Sequence, residues 1–185
     1  MTDRIVKLEL DAFPDESLQE LPVFDKHGVL PAGDYFSKRA DFEMRFVNFG
    51  DVVVRKSIYE GWNKHREQLA IDGLAKSARQ LVNGSFTTSK HAPNDIDIVV
   101  EVSIDDDMLE RLKQPSAATS AIVRLLQGPK LKEQYQCDAY PIYCLPIAHK
   151  DYEAITLKAI RYWTKWFGQT RQGIPKGRIW TTVGD

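Results

Sequence analysis

Several features common in secreted, membrane-bound and zinc-binding proteins are scarce in this sequence. Its 185 residues include only two cysteines, Cys137 and Cys144, and these lack CxxC spacing. This argues against a disulfide framework or a zinc site, and we expect two buried thiols. No segment approaches the roughly 20 apolar residues of a transmembrane helix, and the N-terminus lacks a signal-peptide pattern. We therefore expect a cytoplasmic protein with no membrane partner.

Neither sign of charge dominates, since 25 Lys and Arg oppose 26 Asp and Glu for a formal net charge of −1. The whole chain thus has no general attraction for nucleic acids or anionic membranes, and any site for a polyanion must be local. With 43% hydrophobic residues, the chain can form one core. We predict a single domain over residues 1–185, with an N-terminal arm and helices in 1–73 and a catalytic core in 74–185.

The N-terminal part is expected to contain an arm and two helices. Residues 4–13 suit a short strand or extended arm, and Ser37 is a candidate N-cap for a first helix. The apolar residues of that helix are Phe42, Phe46 and Phe49. Those of the second helix, which ends at Asp72-Gly73, are Val54, Ile58, Trp62 and Leu69. We expect its basic residues to form a solvated face, not a nucleic-acid patch, and they are Arg55, Lys56, Lys64, His65 and Arg66.

The C-terminal part is expected to alternate helices and strands. The aspartates at 105–107 begin a helix as capping residues, and Pro115-Ser116 begins another that ends at Gly128-Pro129. Residues 134–145 form a strand, and Pro141 indicates that this strand lies at a sheet edge or ends there. Residues 176–183 add a last strand. Between them, a helix over 151–167 buries an aromatic stripe that packs in the core. The residues of the stripe are Tyr152, Ile155, Ala159, Tyr162, Trp163 and Trp166.

The most informative stretch is 81–100, in which an apolar strand, a Gly84-Ser85 turn and a polar loop lead to a strand with two aspartates. Asp95 and Asp97 share one face of that strand, about 7 Å apart by strand rise. Two carboxylates so placed can converge on the same hard cations. The glycine lets the backbone approach an anion closely, and the serine hydroxyl adds a donor. Metal-binding carboxylates beside an anion-binding turn indicate phosphoryl or nucleotidyl transfer.

The same letters also occur in ordinary hairpins, where glycine turns the chain and aspartates form a solvated strand face. The apolar residues on both sides of the loop favour the functional interpretation. They are Leu81 and Val82 before it and Ile96, Ile98, Val99 and Val100 after it.

Gly84-Ser85, a spacer of about ten residues and Asp95-Ile96-Asp97 together resemble the signature of the nucleotidyltransferase superfamily typified by DNA polymerase beta. The wider pattern, from Gly84 to Lys90 and then 93–97, is similar to a family of small bacterial and phage nucleotidyltransferase-like proteins. Two further parts of the chain fit that family too. They are Leu30-Pro31-Ala32-Gly33 with the following Phe46 helix, and Trp166-Phe167-Gly168 with Lys176-Gly177 in the tail. The resemblance implies an α/β (α+β) fold with a small mixed β-sheet of the nucleotidyltransferase type, flanked by helices and preceded by an N-terminal helical extension.

The resemblance also implies roles for residues. Gly84 and Ser85 would contact the nucleotide phosphates, while Asp95 and Asp97 would bind two Mg²⁺ ions, or Mn²⁺ in their place. A third carboxylate on a neighbouring strand would complete the metal site and help to activate the attacking hydroxyl. We assign it to Asp138, because a lone acid in an apolar strand is costly to bury unless it is paired or binds metal.

Two assignments have alternatives. Glu101 has the same facing parity as the two aspartates but lies about 13 Å beyond Asp97 by strand rise, so it is the weaker candidate for the third acid. Lys90 could bind phosphate or could equally be an exposed loop lysine.

The function implied by the resemblance is metal-dependent transfer of an NMP from an NTP, such as ATP, to a hydroxyl acceptor. That acceptor could be a protein, as in toxin–antitoxin adenylylation, a tRNA or other nucleic-acid end, another nucleotide, or a small molecule. The alternative is a non-catalytic module of the same fold that binds nucleotide or a partner protein.

Overall fold

A five-stranded mixed sheet forms the centre of the protein, in a computed structural model that describes residues 21–105, 108 and 117–184. The strands are β1 (Asp34–Phe36), β2 (Arg79–Asn83), β3 (Ile96–Ser103), β4 (Cys137–Cys144) and β5 (Arg178–Thr182). Their order across the sheet is β1-β5-β2-β3-β4. The outer pairs β1–β5 and β3–β4 are parallel, whereas β2 is antiparallel to both of its neighbours. The expected α+β class with a small mixed sheet is confirmed.

The described helices differ in length, and the longest of them has 20 residues. They are α1 (Arg39–Phe42), α2 (Val52–Ile71), α3 (Ala117–Arg124), α4 (Lys132–Tyr135) and α5 (Lys158–Phe167). Single π-helical turns follow α1 (Glu43–Val47) and precede α5 (Glu153–Leu157), and a 3₁₀ turn (Pro129–Leu131) leads into α4. Among these described helices, none has the length and hydrophobicity needed to cross a bilayer.

The alternation of side chains along β3 divides the core between the two faces of the sheet. Ile96, Ile98 and Val100 point into the larger cluster, which also contains the buried apolar residues of α1 and α2. Val99 points to the other face, where it meets Phe167 of α5 in a smaller cluster. Asp97 and Glu101 also lie on this second face, because they alternate along β3 in the same sense as Val99.

Strand β4 lies at the edge of the sheet, as Pro141 predicted, since it pairs only with β3 among the described strands. Pro141 is opposite Val100 and presents no N–H to the ladder. Cys137 is buried and Cys144 is half-buried, and both are free thiols. Burial raises the pKa of each to about 12, so neither is a reactive thiolate.

The prediction that Ser37 caps the first helix is wrong. Helix α1 begins at Arg39, and its cap position, Lys38, makes no side-chain cap hydrogen bond. The Ser37 N–H donates to the Trp180 carbonyl at 2.8 Å, so this residue still extends the pairing of β1 with β5. Two of the three apolar positions were predicted correctly, because Phe42 and Phe46 are buried. The third, Phe49, lies beyond the end of the helical residues and is half-buried.

The expected solvated basic face of α2 is wrong at three positions. Arg55 and His65 are fully buried and Arg66 nearly so, whereas Lys56 and Lys64 are exposed. Arg55 is buried because loop carbonyls surround it. Its guanidinium donates to the carbonyl oxygens of Phe46, Phe86, Thr88 and Lys90 at 2.5–3.0 Å.

The aromatic stripe of α5 is only partly buried. Trp163 packs on the sheet side of the helix, but Tyr162 is 56% exposed and Trp166 is 58% exposed. Ile155, in the preceding turn, is also exposed. The part of the sheet that α5 covers is small, and Trp163 and Phe167 already fill it. The helix therefore cannot bury aromatic residues on both of its sides.

Two predicted elements fall outside the part of the chain that the structure describes. They are the arm over 4–13 and most of the helix that was expected to begin at 105–107. Within the described residues, Asp105 accepts a hydrogen bond from the Met108 N–H at 2.6 Å, as a capping residue does.

Candidate active site

Three carboxylates lie together where β3 and β4 begin. Asp95 immediately precedes β3, Asp97 is the second residue of β3, and Asp138 is the second residue of β4. Asp97 is directly opposite Asp138 in the parallel register, so both side chains point to the same face of the sheet. The three acids therefore lie close together, as expected. The apolar residues that alternate with Asp97 and Asp138 in β3 and β4 pack into the core and so direct the two carboxylates to the other face.

The mutual repulsion of these carboxylates is visible in their pKa values. Burial, and then the charges of Asp95 and Asp138, raise the pKa of Asp97 to about 6. Burial also raises the pKa of Asp138, and Asp95 adds to this effect while Lys132 opposes it. The Oδ1 atom of Asp138 is buried and has no hydrogen-bond partner among the described residues. Such an arrangement is costly for folding and suits a site that binds cations.

Lys132, the first residue of α4, supplies the positive charge nearest to the acids. Its Nζ lies 2.6 Å from Oδ2 of Asp95 and 3.4 Å from Oδ2 of Asp138. The hydrogen bond to Asp95 raises the pKa of Lys132. Gly61 of α2 makes room for α4, because a Cβ there would lie 2.5 Å from the Tyr135 carbonyl oxygen. No sequence signal marked Lys132, since its position depends on how the Pro129–Leu131 turn directs the chain.

The Gly84 turn touches the acids directly. Gly84 has a φ of +85°, and a Cβ at this position would overlap Oδ2 of Asp97. Only glycine fits without strain. The Gly84 N–H is occupied, since it donates to Oδ1 of Asn83 at 2.8 Å. The Ser85 N–H and hydroxyl, by contrast, have no acceptor among the described residues. Ser85 therefore keeps two donors available to an anion, whereas the N–H of Gly84 is not available.

A second lysine, Lys176, lies buried behind the turn. Its Nζ donates to Oδ1 of Asn83 and to the Gly84 carbonyl oxygen, both at 2.6 Å. Burial lowers the pKa of Lys176 to about 8, an effect that Asp97 partly opposes. Asn83 also donates from Nδ2 to the Phe167 carbonyl at 2.8 Å, which ties the turn to the end of α5. The Lys176-Gly177 pair was the available sequence signal, but a lysine is so rarely buried that its role was missed.

Lys90 is not brought to the acids. Its side chain is exposed and forms no ion pair with any described residue. Its backbone is fixed instead, because its carbonyl accepts from Arg55. Glu101, the weaker candidate for the third acid, is also engaged elsewhere. Arg79 donates to its two carboxylate oxygens at 2.7 and 3.0 Å.

Over the described residues, no group of three His, Cys, Asp or Glu side chains is arranged to hold a metal ion directly. The donor chemistry nevertheless fits a hard divalent cation, because all three acids offer only oxygen ligands. The ammonium of Lys132 lies between two of them as a cation would, and Oδ1 of Asp138 lacks a partner. Asp95, Asp97 and Asp138 are thus the residues that would hold the ions.

Comparison with known proteins identifies the family of this chain. A family model described as a family of unknown function, DUF6932, matches residues 22–182. The chain belongs to the DUF6932 family. Searches of curated proteins and of solved structures gave no significant match. The acids, the Gly84 turn, Lys132 and Lys176 all lie within the matched DUF6932 region.

Proposed function

We propose that this DUF6932 protein is a metal-dependent nucleotidyltransferase that moves an NMP from an NTP to a hydroxyl. The observation that carries the proposal is the convergence of Asp95, Asp97 and Asp138 beside a glycine turn that contacts Asp97. The acids come from two adjacent parallel strands, and the turn leaves the donors of Ser85 available. The resemblance of this motif to the nucleotidyltransferase superfamily, with a third acid on a neighbouring strand, supports the same activity and the same type of sheet.

Each residue has a distinct role in this proposal. Asp95, Asp97 and Asp138 would hold two Mg²⁺ ions, and the N–H and hydroxyl of Ser85 would bind the phosphates of the NTP. Lys132 would pair with phosphate, since it is the nearest exposed cation. Lys176 keeps the turn in place through Asn83 and the Gly84 carbonyl. The bound ions would stabilise the charge that develops on the entering and leaving oxygens.

The reaction balances without a further reagent. The acceptor oxygen forms a bond to the α-phosphorus, the bond from that phosphorus to the bridging oxygen breaks, and pyrophosphate leaves. The proton of the acceptor hydroxyl would pass to Asp138, the third carboxylate of the cluster.

Label transfer from NTPs tests the proposal. Each α-labelled NTP is incubated with Mg²⁺, the protein and a set of acceptors that includes RNA, proteins and nucleotides, and transferred label and pyrophosphate are both measured. We expect Asp97→Asn to reduce transfer by more than about 100-fold, since it removes one of the ligands that would hold the ions. Glu101→Gln is the matched control, because it removes a charge from the same face of β3 and should leave transfer unchanged. Transfer that survives Asp97→Asn would disprove the assignment.

A second candidate is a binding module without turnover, and one observation favours it. Lys132 already neutralises part of the acidic cluster, as a lysine would in a site that no longer binds metal. Binding of Mn²⁺, followed by electron paramagnetic resonance, separates the two. The enzyme should bind Mn²⁺ through Asp97, whereas the binding module should show nucleotide or partner binding that Asp97→Asn does not alter.

A further inference from the structure

We propose that the exposed side of α5 binds single-stranded nucleic acid, and that a hydroxyl at the end of this nucleic acid is the acceptor. The first part stands on the surface of α5 alone, and the second part rests on the proposed function. The surface consists of Lys158, Arg161, Tyr162, Lys165 and Trp166, and we call it the α5 face.

The charge of this region differs from that of the rest of the chain. Residues 154–184 contain six Lys and Arg and no Asp or Glu, although the whole chain has a formal net charge of −1. Two of the six are internal, since Lys176 is buried and Arg178 pairs with Asp34. Lys158 and Lys165 are exposed on α5, seven residues apart and therefore on the same side of the helix. A local excess of positive charge of this kind is suited to a phosphate backbone.

Exposed aromatic rings accompany these lysines. Tyr162 and Trp166 are each more than half exposed, and they are four residues apart on the side that bears Lys158 and Lys165. Their ring planes are within 4° of parallel, with centroids 6.4 Å apart. Aromatic faces interleaved with cations are the surface on which single-stranded bases stack, without regard to sequence. Core packing does not account for these two rings, since they lie outside both buried clusters.

A series of aromatic contacts links the α5 face to the strand that carries Asp138. Tyr162 contacts Trp163 edge-on at 5.0 Å between centroids, and Trp163 contacts Tyr140 at 4.8 Å. Tyr140 is two residues beyond Asp138 on β4 and shares its face. At the C-terminal end of the helix, the Phe167 carbonyl accepts a hydrogen bond from Asn83, next to the Gly84 turn. A strand lying along α5 would thus present its end to the acids.

Charge also argues against a protein as the occupant. Lysine is depleted from protein–protein interfaces, yet two lysines flank both rings here. A protein partner would need acidic residues at matching positions, whereas any nucleic acid supplies a phosphate per nucleotide.

Fluorescence anisotropy with labelled oligonucleotides of about 12 nucleotides tests the α5 face. Oligo(U), oligo(dT) and a duplex are titrated with the full chain, so that RNA, DNA and double-stranded forms are compared. We expect both single strands to bind more tightly than the duplex. Tyr162→Ala with Trp166→Ala should weaken this binding by about tenfold or more, because two stacking rings are lost. Lys158→Gln with Lys165→Gln should reduce the slope of log K against log salt by about 1.4, or about 0.7 per phosphate contact.

Two controls decide between outcomes. Lys56→Gln with Lys64→Gln removes the same charge from α2 and should leave binding unchanged. If this pair weakens binding as much as the α5 lysine pair, or if the aromatic pair has no effect, the α5 face is not the binding surface. Equal or tighter binding of the duplex contradicts the stacking model in the same way.

Asp97→Asn separates this proposal from the proposed function. It should retain oligonucleotide binding and lose transfer of label to the oligonucleotide end. If the protein labels a different acceptor but never the oligonucleotide, the acceptor assignment is wrong while the nucleotidyltransferase activity stands. If oligonucleotides bind through α5 and no acceptor is ever labelled, the acceptor assignment fails together with the proposed function, and the binding surface remains.

Discussion

Two acids on one face of β3 have opposite surroundings, although only four residues separate them. Glu101 receives two hydrogen bonds from Arg79, a dedicated partner on the neighbouring strand β2. Asp97 receives none from the described residues, and it lies against Asp138 and close to Asp95 instead. Burial raises the pKa of both acids, but at Glu101 the nearby charge opposes the shift and at Asp97 the nearby carboxylates increase it.

The difference separates a structural acid from a functional candidate. Glu101 is neutralised within the fold, so its charge is available to nothing else. The Asp97 end keeps an excess of negative charge that the protein itself does not neutralise fully, and such unrelieved charge is typical of a site that receives a cation. If this interpretation is correct, mutations at the two ends should change stability in opposite directions.

The largest change in stability is expected at the Glu101 end. Arg79→Met leaves the Glu101 carboxylate buried without its partner, which should lower the free energy of unfolding by about 2–3 kcal/mol. This is below the usual loss for a buried pair because the Arg79 side chain is 35% exposed. Chemical denaturation measures the loss. Arg39→Met is the matched control, since its ion pair with Glu43 is exposed and should contribute less than about 1 kcal/mol. Equal losses in the two variants would contradict the prediction.

A pH effect of similar size is expected from His65, which lies on α2 and not on β3. His65 is fully buried and hydrogen-bonds the Leu125 carbonyl at 2.6 Å, and burial lowers its pKa to about 4. The folded protein therefore holds His65 neutral. This residue leaves the stability of the fold unchanged above pH 6.5 and lowers it as the pH falls towards 4, because the unfolded chain is protonated before the folded protein. The expected loss from this residue over that interval is about 2–3 kcal/mol.

Denaturant titrations between pH 7 and 4 test the role of His65. His65→Gln can keep the hydrogen bond but cannot be protonated, so its stability should fall less steeply than that of the wild type. His27→Gln, at an exposed histidine, should follow the wild type. If all three proteins lose stability in parallel, His65 is not the source of the acid sensitivity.

At the Asp97 end, removal of a charge should stabilise the protein. The pKa of Asp97 rises from 3.8 to about 6 on folding, so its ionised form is disfavoured in the fold at neutral pH. Asp97→Asn should raise the free energy of unfolding by about 1–2 kcal/mol at pH 7, and by little at pH 4, where the aspartate is already protonated. Asp151→Asn, at a half-exposed acid, should change stability by less than about 0.5 kcal/mol. A loss of stability in Asp97→Asn would mean that the cluster is neutralised after all.

The regular elements and the position of the acids could be predicted from local patterns. Alternating apolar residues identified β2 and β3, and helical spacing identified α2. The third acid was implied by the resemblance to the nucleotidyltransferase superfamily, and Asp138 was chosen because a lone acid in an apolar strand needs a partner or a metal. The regular elements need only the immediate neighbours of each residue in the chain, whereas the meeting of Asp97 with Asp138 does not follow from them.

The errors concern side chains whose surroundings depend on distant segments. Arg55 was expected on a solvated face, but loop residues about 30 positions later supply carbonyls that surround it. Lys132 and Lys176 reach the acidic site from separate turns. In the opposite sense, Tyr162 and Trp166 were expected in the core, yet α5 covers too little of the sheet to bury them. Long side chains with both polar and apolar parts cannot be assigned to core or surface from their spacing alone.

The smallest effect expected concerns Lys132, which partly obscures the difference between the two ends of β3. Its ammonium lies near Asp95 and Asp138 and so competes with a divalent cation for the same oxygens. Lys132→Met should therefore increase the affinity for Mn²⁺ in the absence of nucleotide, by about threefold to tenfold, since a half-exposed lysine interacts only moderately with its partners. The same variant should weaken binding of an NTP, because the proposed contact with phosphate is lost.

Lys130→Met, at an exposed lysine two residues earlier, should change neither affinity. If Lys132 only neutralises charge in a site that binds no metal, neither variant should bind Mn²⁺. Tighter binding of Mn²⁺ together with weaker binding of NTP in Lys132→Met would instead identify a cation site that the lysine occupies in the absence of metal.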